Sequence, residues 1–170
     1  DVLIDPKTDP LDLDSAKYII HQNIFKSLKD ILANKKYDKV AKDKLRNSFI
    51  EADGLLIGGQ NREMLTAKKE RLAQMGAEDL TSIDKLLAGG DKVVSLTEHY
   101  TMEWEKEKQV RYVAVVAEGN IVLYKEPLKE CLGVDFWPFV SWAGEMDTID
   151  FWSDGPIYSI RTINKVLNAW

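Results

Sequence analysis

The hydrophobic period of this chain changes near Asp91, and that change limits the folds open to it. Upstream, apolar side chains recur every three to four residues; downstream they recur every second residue. Val94, Leu96, Tyr100, Met102 and Trp104 share one side of an extended segment, with Glu98 among them, while Ser95, Thr97, His99, Thr101 and Glu103 share the other. Period-2 alternation of this kind marks a half-buried antiparallel strand. The EKEKQ stretch at 105–109 reads as a solvated hairpin connection, 110–117 as the returning strand, Gly119-Asn120 as a tight turn and 121–124 as a third strand. Helices in one part of the chain and strands in another predict an α+β fold, with helices between Ser27 and Leu87 packed on an antiparallel sheet from Lys92 to Trp142.

The helical part has its own punctuation. Ser27 with Asp30 three residues on predicts an N-cap and a short helix through Ala33. Residues 38–52 carry Val40, Ala41, Leu45, Phe49 and Ile50 on one side and mostly Lys or Arg on the other. Asp53-Gly54 and Gly58-Gly59 are expected to interrupt that helix, because glycine weakens a helix interior. The pattern resumes over 61–75 with Met64, Leu65, Leu72 and Met75, and Gly76 is placed as its C-cap. A further short turn is expected over 82–87. Before all of these, residues 5–14 (DPKTDPLDLD) are turn chemistry, and 16–25, rich in aromatic and β-branched residues, favour a strand. In 136–142 (FWPFVSW), Pro138 suggests an edge position.

Bulk numbers narrow the function. With 45% apolar and 30% charged residues, the 170-residue chain has the composition of a globular protein able to bury a core. A net charge of −5 argues against gripping nucleic acid through its phosphates. No apolar run approaches the roughly 18 residues that a membrane span needs. The single cysteine, Cys131, has no internal disulfide partner, which points to a reducing compartment.

No catalytic constellation emerges. His21 and His99 both fall in expected strands and belong to no metal-ligand spacing. Glu98 and His99 point to opposite faces of one strand, which separates them for acid/base work; Glu98 is expected to pair with a Lys or Arg or to lie under a subunit interface. Asp5, Asp9, Asp12 and Asp14 lack the EF-hand order and fit Asx-turns and caps. Gly58-Gly59 and Gly89-Gly90 lack the spacing of a phosphate loop or dinucleotide turn. Cys131 has no local His. Catalytic, cofactor-binding and metal-binding residues are therefore all expected to be absent, and no hydrolase or nuclease activity with Mg²⁺, Mn²⁺ or Zn²⁺ is expected. Of the five Trp, three fall between 137 and 152, and burial in the core is the simplest expectation for them.

Both termini read as cuts. Asp1 opens directly into an apolar run, and residues 154–170 carry Ile157, Ile160, Ile163, Leu167 and Trp170 at helical spacing without a stop signal. The expected organisation is an α+β module over 1–153 and the start of a truncated helix over 154–170.

From residue 91 onward the order of features resembles a bacteriophage portal (head–tail connector) protein of the podovirus-like kind. The resembling pieces are VSLTEHYTMEW at 94–104, RYVAVVAEGNIVLYKEPL at 111–128, FWPFVSW at 136–142 and SDGPIYSIRTINKVLN at 153–168. Ile4-Asp5-Pro6 and DSAKYIIH at 14–21 are similar to the early strand region of that family. The resemblance implies a structural, non-enzymatic part of a ring of usually twelve subunits at one capsid vertex. Through it DNA is packaged by a terminase motor and later ejected. This chain would be the peripheral wing region, leading into a stem-type helix at Asp154. The implied partners are further copies of the subunit, capsid, terminase motor and tail adaptor proteins, and DNA passing through the channel, with no membrane. The implied location is the virion, and the host cytoplasm during assembly.

Two other classes stay open. One is a metal-dependent nuclease or hydrolase fragment using Glu145, Asp147 and Asp150. The other is an intracellular binding module that adds a partner strand beside residues 139–142.

Overall fold

The computed structural model describes residues 2–9, 12–50, 52–77 and 79–140. The acidic run with Glu145, Asp147 and Asp150, the residues Trp142, Trp152 and Trp170, and the helix expected over 154–170 lie outside them. The fold is α+β. Five strands, β1 (Val2–Ile4), β2 (Tyr18–Ser27), β3 (Val93–Glu105), β4 (Lys108–Ala117) and β5 (Ile121–Pro127), form one antiparallel meander in the order β1-β2-β3-β4-β5. The helices are α1 (Leu28–Ala33), α2 (Lys39–Ile50), α3 (Ala52–Gln74), α4 (Thr81–Ala88) and α5 (Leu128–Leu132).

Several elements form for the local reasons read in the sequence. Ser27 caps α1, its hydroxyl accepting from the Asp30 N–H at 3.1 Å. Asp38 does the same for α2, accepting from the Ala41 N–H at 2.8 Å. Helix α3 ends in a Schellman motif: Gly76 takes φ +81°, its N–H bonds the Ala73 carbonyl and the Ala77 N–H bonds the Leu72 carbonyl. The β3–β4 hairpin turns through Lys106 and Glu107, both at positive φ, which matches the twist of the flanking strands.

Three expectations are corrected. Helix α3 runs unbroken through Gly54, Gly58 and Gly59. Tertiary anchors farther along it offset the glycine cost: Asn61 is buried and bonds the Val93 carbonyl, and Leu65 packs with Phe25 and Val93. The sheet does not begin at Lys92. Among the described residues it runs from Val2, because β1 pairs antiparallel with β2, to Pro127. Residues 136–140 form no strand, so the edge expected near Pro138 is not there; that stretch lies on the sheet through its side chains. Finally, Trp104 is 71% exposed rather than buried, because at β3 position 104 the ladder has only β4 beside it.

One face of the sheet carries two apolar clusters in succession. At one end α1 and α2 lay Ile31, Ala41, Leu45 and Phe49 over Val94, Leu96, Ala117 and Leu123. At the other end Leu128 and Trp137 close over Ile19, Tyr100 and Val113. Val94, Leu96 and Tyr100 are spaced by even numbers along β3, which puts both clusters on the same face. The opposite face is covered at one end, where Leu65 with Ile83, Leu86 and Leu87 of α4 packs on Phe25 and Val93.

Candidate functional site

Between the two clusters the covered face holds a polar row. Cross-strand registry aligns His21 on β2, Glu98 on β3, Val115 on β4 and Tyr124 on β5. The Glu98 carboxylate lies 3.5 Å from His21 Nδ1 and accepts the Tyr100 hydroxyl at 3.2 Å. Its partner is therefore a histidine and a tyrosine, not the Lys or Arg expected. The pairing depends on β2–β3 registry and could not be read from the 98–99 dipeptide alone. His21 also adjoins a bulge in β2, where registry shifts between His21 and Ile24, Asn23 takes φ +61°, and Lys68 of α3 donates to the Asn23 carbonyl at 2.8 Å.

The hydroxyls around this row are held in the protonated form. Burial, and secondarily the Glu98 charge, pushes Tyr100 well above the usual phenol range. Tyr37 is raised for the same two reasons, burial first. Tyr124 is raised by burial and then by its hydrogen bonds with Cys131 and with Glu126, whose Oε2 accepts at 2.6 Å. A phenol that stays neutral donates hydrogen bonds and does not serve as a base. The row can position polar groups.

His99 stands on the opposite face, across from Ile20 and Ala114, so Glu98 and His99 are separated as the alternation predicts. The N-terminal carboxylates serve turns: Asp5 Oδ1 accepts from the Lys7 N–H at 3.0 Å and Asp12 Oδ1 from the Asp14 N–H at 3.1 Å. Asp14 reaches further, accepting the Trp137 backbone N–H at 3.1 Å and lying 3.5 Å from Arg111. Among the described residues no group of three or more His, Cys, Asp or Glu is placed to hold a metal ion, and no helix is long and apolar enough to cross a membrane. Gly58-Gly59 lies within α3, and the carbonyls around Gly89-Gly90 are bonded by the Arg62 guanidinium.

The second concentration of interactions centres on Trp137. The indole N–H donates to the Ala16 carbonyl at 3.1 Å, the Arg111 guanidinium lies over the ring at 5.2 Å, and Tyr100 meets Trp137 and Phe139 edge to face, at 6.5 and 4.9 Å. Arg111 also donates to the Asp135 carbonyl at 2.6 Å. Strand β4, the residues leading into β2 and the 135–139 stretch are thus locked together by one aromatic side chain.

No protein-family model matches the chain, and neither a curated protein nor a solved structure is similar enough to it to count as a match.

Proposed function

We propose that this chain is a structural module of a phage portal (head–tail connector) subunit, corresponding to its peripheral wing region, and that its work is protein–protein contact within a ring rather than catalysis. The observation that carries this reading is spatial. Three of the resembling segments among the described residues, 94–104, 111–128 and 136–140, are not scattered matches. They pack on one another through Tyr100, Arg111, Trp137 and Phe139 as one unit. The aromatic 136–140 stretch, which is unusual in composition, is the piece that closes that unit.

The net charge of −5 is in keeping with a ring that lets DNA pass without holding it. Exposed Trp104, Phe136 and Val140 offer the apolar area that a subunit contact needs.

The test is assembly. Protein made from the whole open reading frame that encodes this chain should form closed rings, seen by light scattering and negative-stain imaging, because a repeated head-to-tail contact closes when its rotation fits. The 170-residue chain alone should be mainly monomeric or weakly associated. A product of the whole frame that stays monomeric at micromolar concentration, with no rings on the grid, would overturn the proposal.

A further inference from the structure

The two ends of the covered sheet face differ in charge, and each carries exposed apolar side chains. Between Leu28 and Ile50, the helical end, there are seven Lys or Arg and three Asp. Between Val2 and Ser15, which flanks the aromatic end, there are four Asp and one Lys. On α2 the exposed Val40 (62%) stands beside Lys39 and Lys44, and a groove there is lined by Asp38, Val40, Ala41, Lys44, Asn120, Ile121 and Val122; the Asp38 carboxylate is taken up by the Ala41 N–H at the start of α2. At the aromatic end Phe136 is 53% exposed, and Asp12 and Asp135 flank it on the surface. The two ends lie about 20 Å apart along β3 at roughly 3.3 Å per residue.

We infer that these ends are the two halves of one head-to-tail interface, in which the acidic, aromatic end of one copy, led by Phe136, seats against the basic α2–β5 groove of the next. The inference deepens the portal reading and rests on it for closure into a ring. An apolar centre with a charged rim is the anatomy of a protein interface. Different patches on opposite ends give a heterologous contact, the kind that makes rings, and not an isologous dimer. The complementary charge sits on this same chain, which points to a second copy. Duplex DNA is the less suitable occupant, because phosphate recognition does not call for exposed Val40 and Val122 in the groove. Among the described residues neither Lys39 nor Lys44 has an ion-pair partner, so both are available to a neighbour. Arg111, the one Arg at the acidic end, is already engaged by Asp14, Asp135 and Trp137.

The test uses charge reversal in the product of the whole reading frame, because the 170-residue chain alone is expected to be mainly monomeric. One variant carries Lys39→Glu with Lys44→Glu, the other Asp12→Lys with Asp135→Lys, and sedimentation velocity reads association. Each variant alone should associate on the order of 100-fold more weakly than the parent, because like charges then face each other. An equimolar mixture should recover parental assembly, which a misfolded variant could not do, and a variant carrying all four changes should recover it as well. Phe136→Ser should weaken association without changing its salt dependence. Parental assembly by both single-end variants, or a mixture that recovers nothing, would overturn the interface while leaving the ring reading standing. Duplex DNA binding lost in the Lys39/Lys44 variant, with no self-association in the parent, would overturn it in favour of a nucleic-acid surface. Recovery on mixing without rings from the whole frame would sink the ring reading and keep the interface.

Discussion

The two ends of the covered sheet face are closed by different physics. At the helical end the cover is apolar: Ile31, Leu45 and Phe49 are almost fully buried over Val94, Leu96 and Leu123. At the aromatic end the cover is an irregular stretch, and its Trp137 is held by the Ala16 carbonyl, the Asp14 carboxylate and the Arg111 guanidinium. A helix satisfies its own backbone, so it can seal a sheet with hydrocarbon alone. A stretch without secondary structure must find partners for its N–H and C=O groups elsewhere, and it brings a polar scaffold with it. The helical end should therefore respond to lost volume and the aromatic end to lost hydrogen bonds.

The largest expected effect follows from the first half of that contrast. Phe49 is 1% exposed, and truncation to Ala leaves a cavity between α2 and the sheet. Phe49→Ala should cost about 3–5 kcal/mol of global stability by urea or guanidinium unfolding. A loss below about 1 kcal/mol would mean that the α2 cover can collapse onto the sheet, and the contrast would fail.

Next comes the aromatic end. Trp137→Phe keeps most of the ring but removes the N–H that satisfies the Ala16 carbonyl. It should cost about 1–2 kcal/mol, the range for orphaning a buried polar group. Hydrogen exchange should quicken first at amides tied to this lock, Trp137 and Ala16 among them, before the β3–β4 ladder is affected. Uniform acceleration across the sheet would show that the aromatic end is no more local than the helical one.

How much of this could be read beforehand depends on the range of the interaction. The period change at Asp91, the Ser27 cap and the Gly76 Schellman stop are local, and each is present as read. What failed was non-local. The glycines of α3 break a helix in isolation, yet Asn61 and Leu65 tie that helix to the sheet. Trp104 follows the apolar alternation, but whether a position on β3 is covered depends on how far β2 extends beside it. The Glu98–His21 pair joins residues 77 apart in sequence, and only strand registry reveals it. Pro138 suggests an edge strand by its missing N–H, yet it falls in an irregular stretch whose place is set by Trp137.

The smallest effect concerns a polar tie at the helical end. Glu118, half-buried in the β4–β5 turn, accepts from Asn61 Nδ2 at 2.8 Å and from the Ser95 N–H at 3.0 Å. Burial raises its carboxyl above the ordinary 4.5, and the two hydrogen bonds oppose that rise without cancelling it. A carboxyl raised in the folded state binds protons more readily there than in the unfolded chain. Its contribution is thus fully present below the unfolded value and is lost as pH climbs through the folded one. Glu118→Gln keeps an oxygen to accept both bonds and removes the charge. The variant should gain on the parent between pH 4.5 and neutrality and match it below, by less than the cost of either ring substitution. Parallel unfolding curves at several pH values would read the difference. If the parent instead gains on the variant as pH rises, the Glu118 charge is stabilised by its two donors. The helical end would then share the polar dependence assigned to the aromatic end alone.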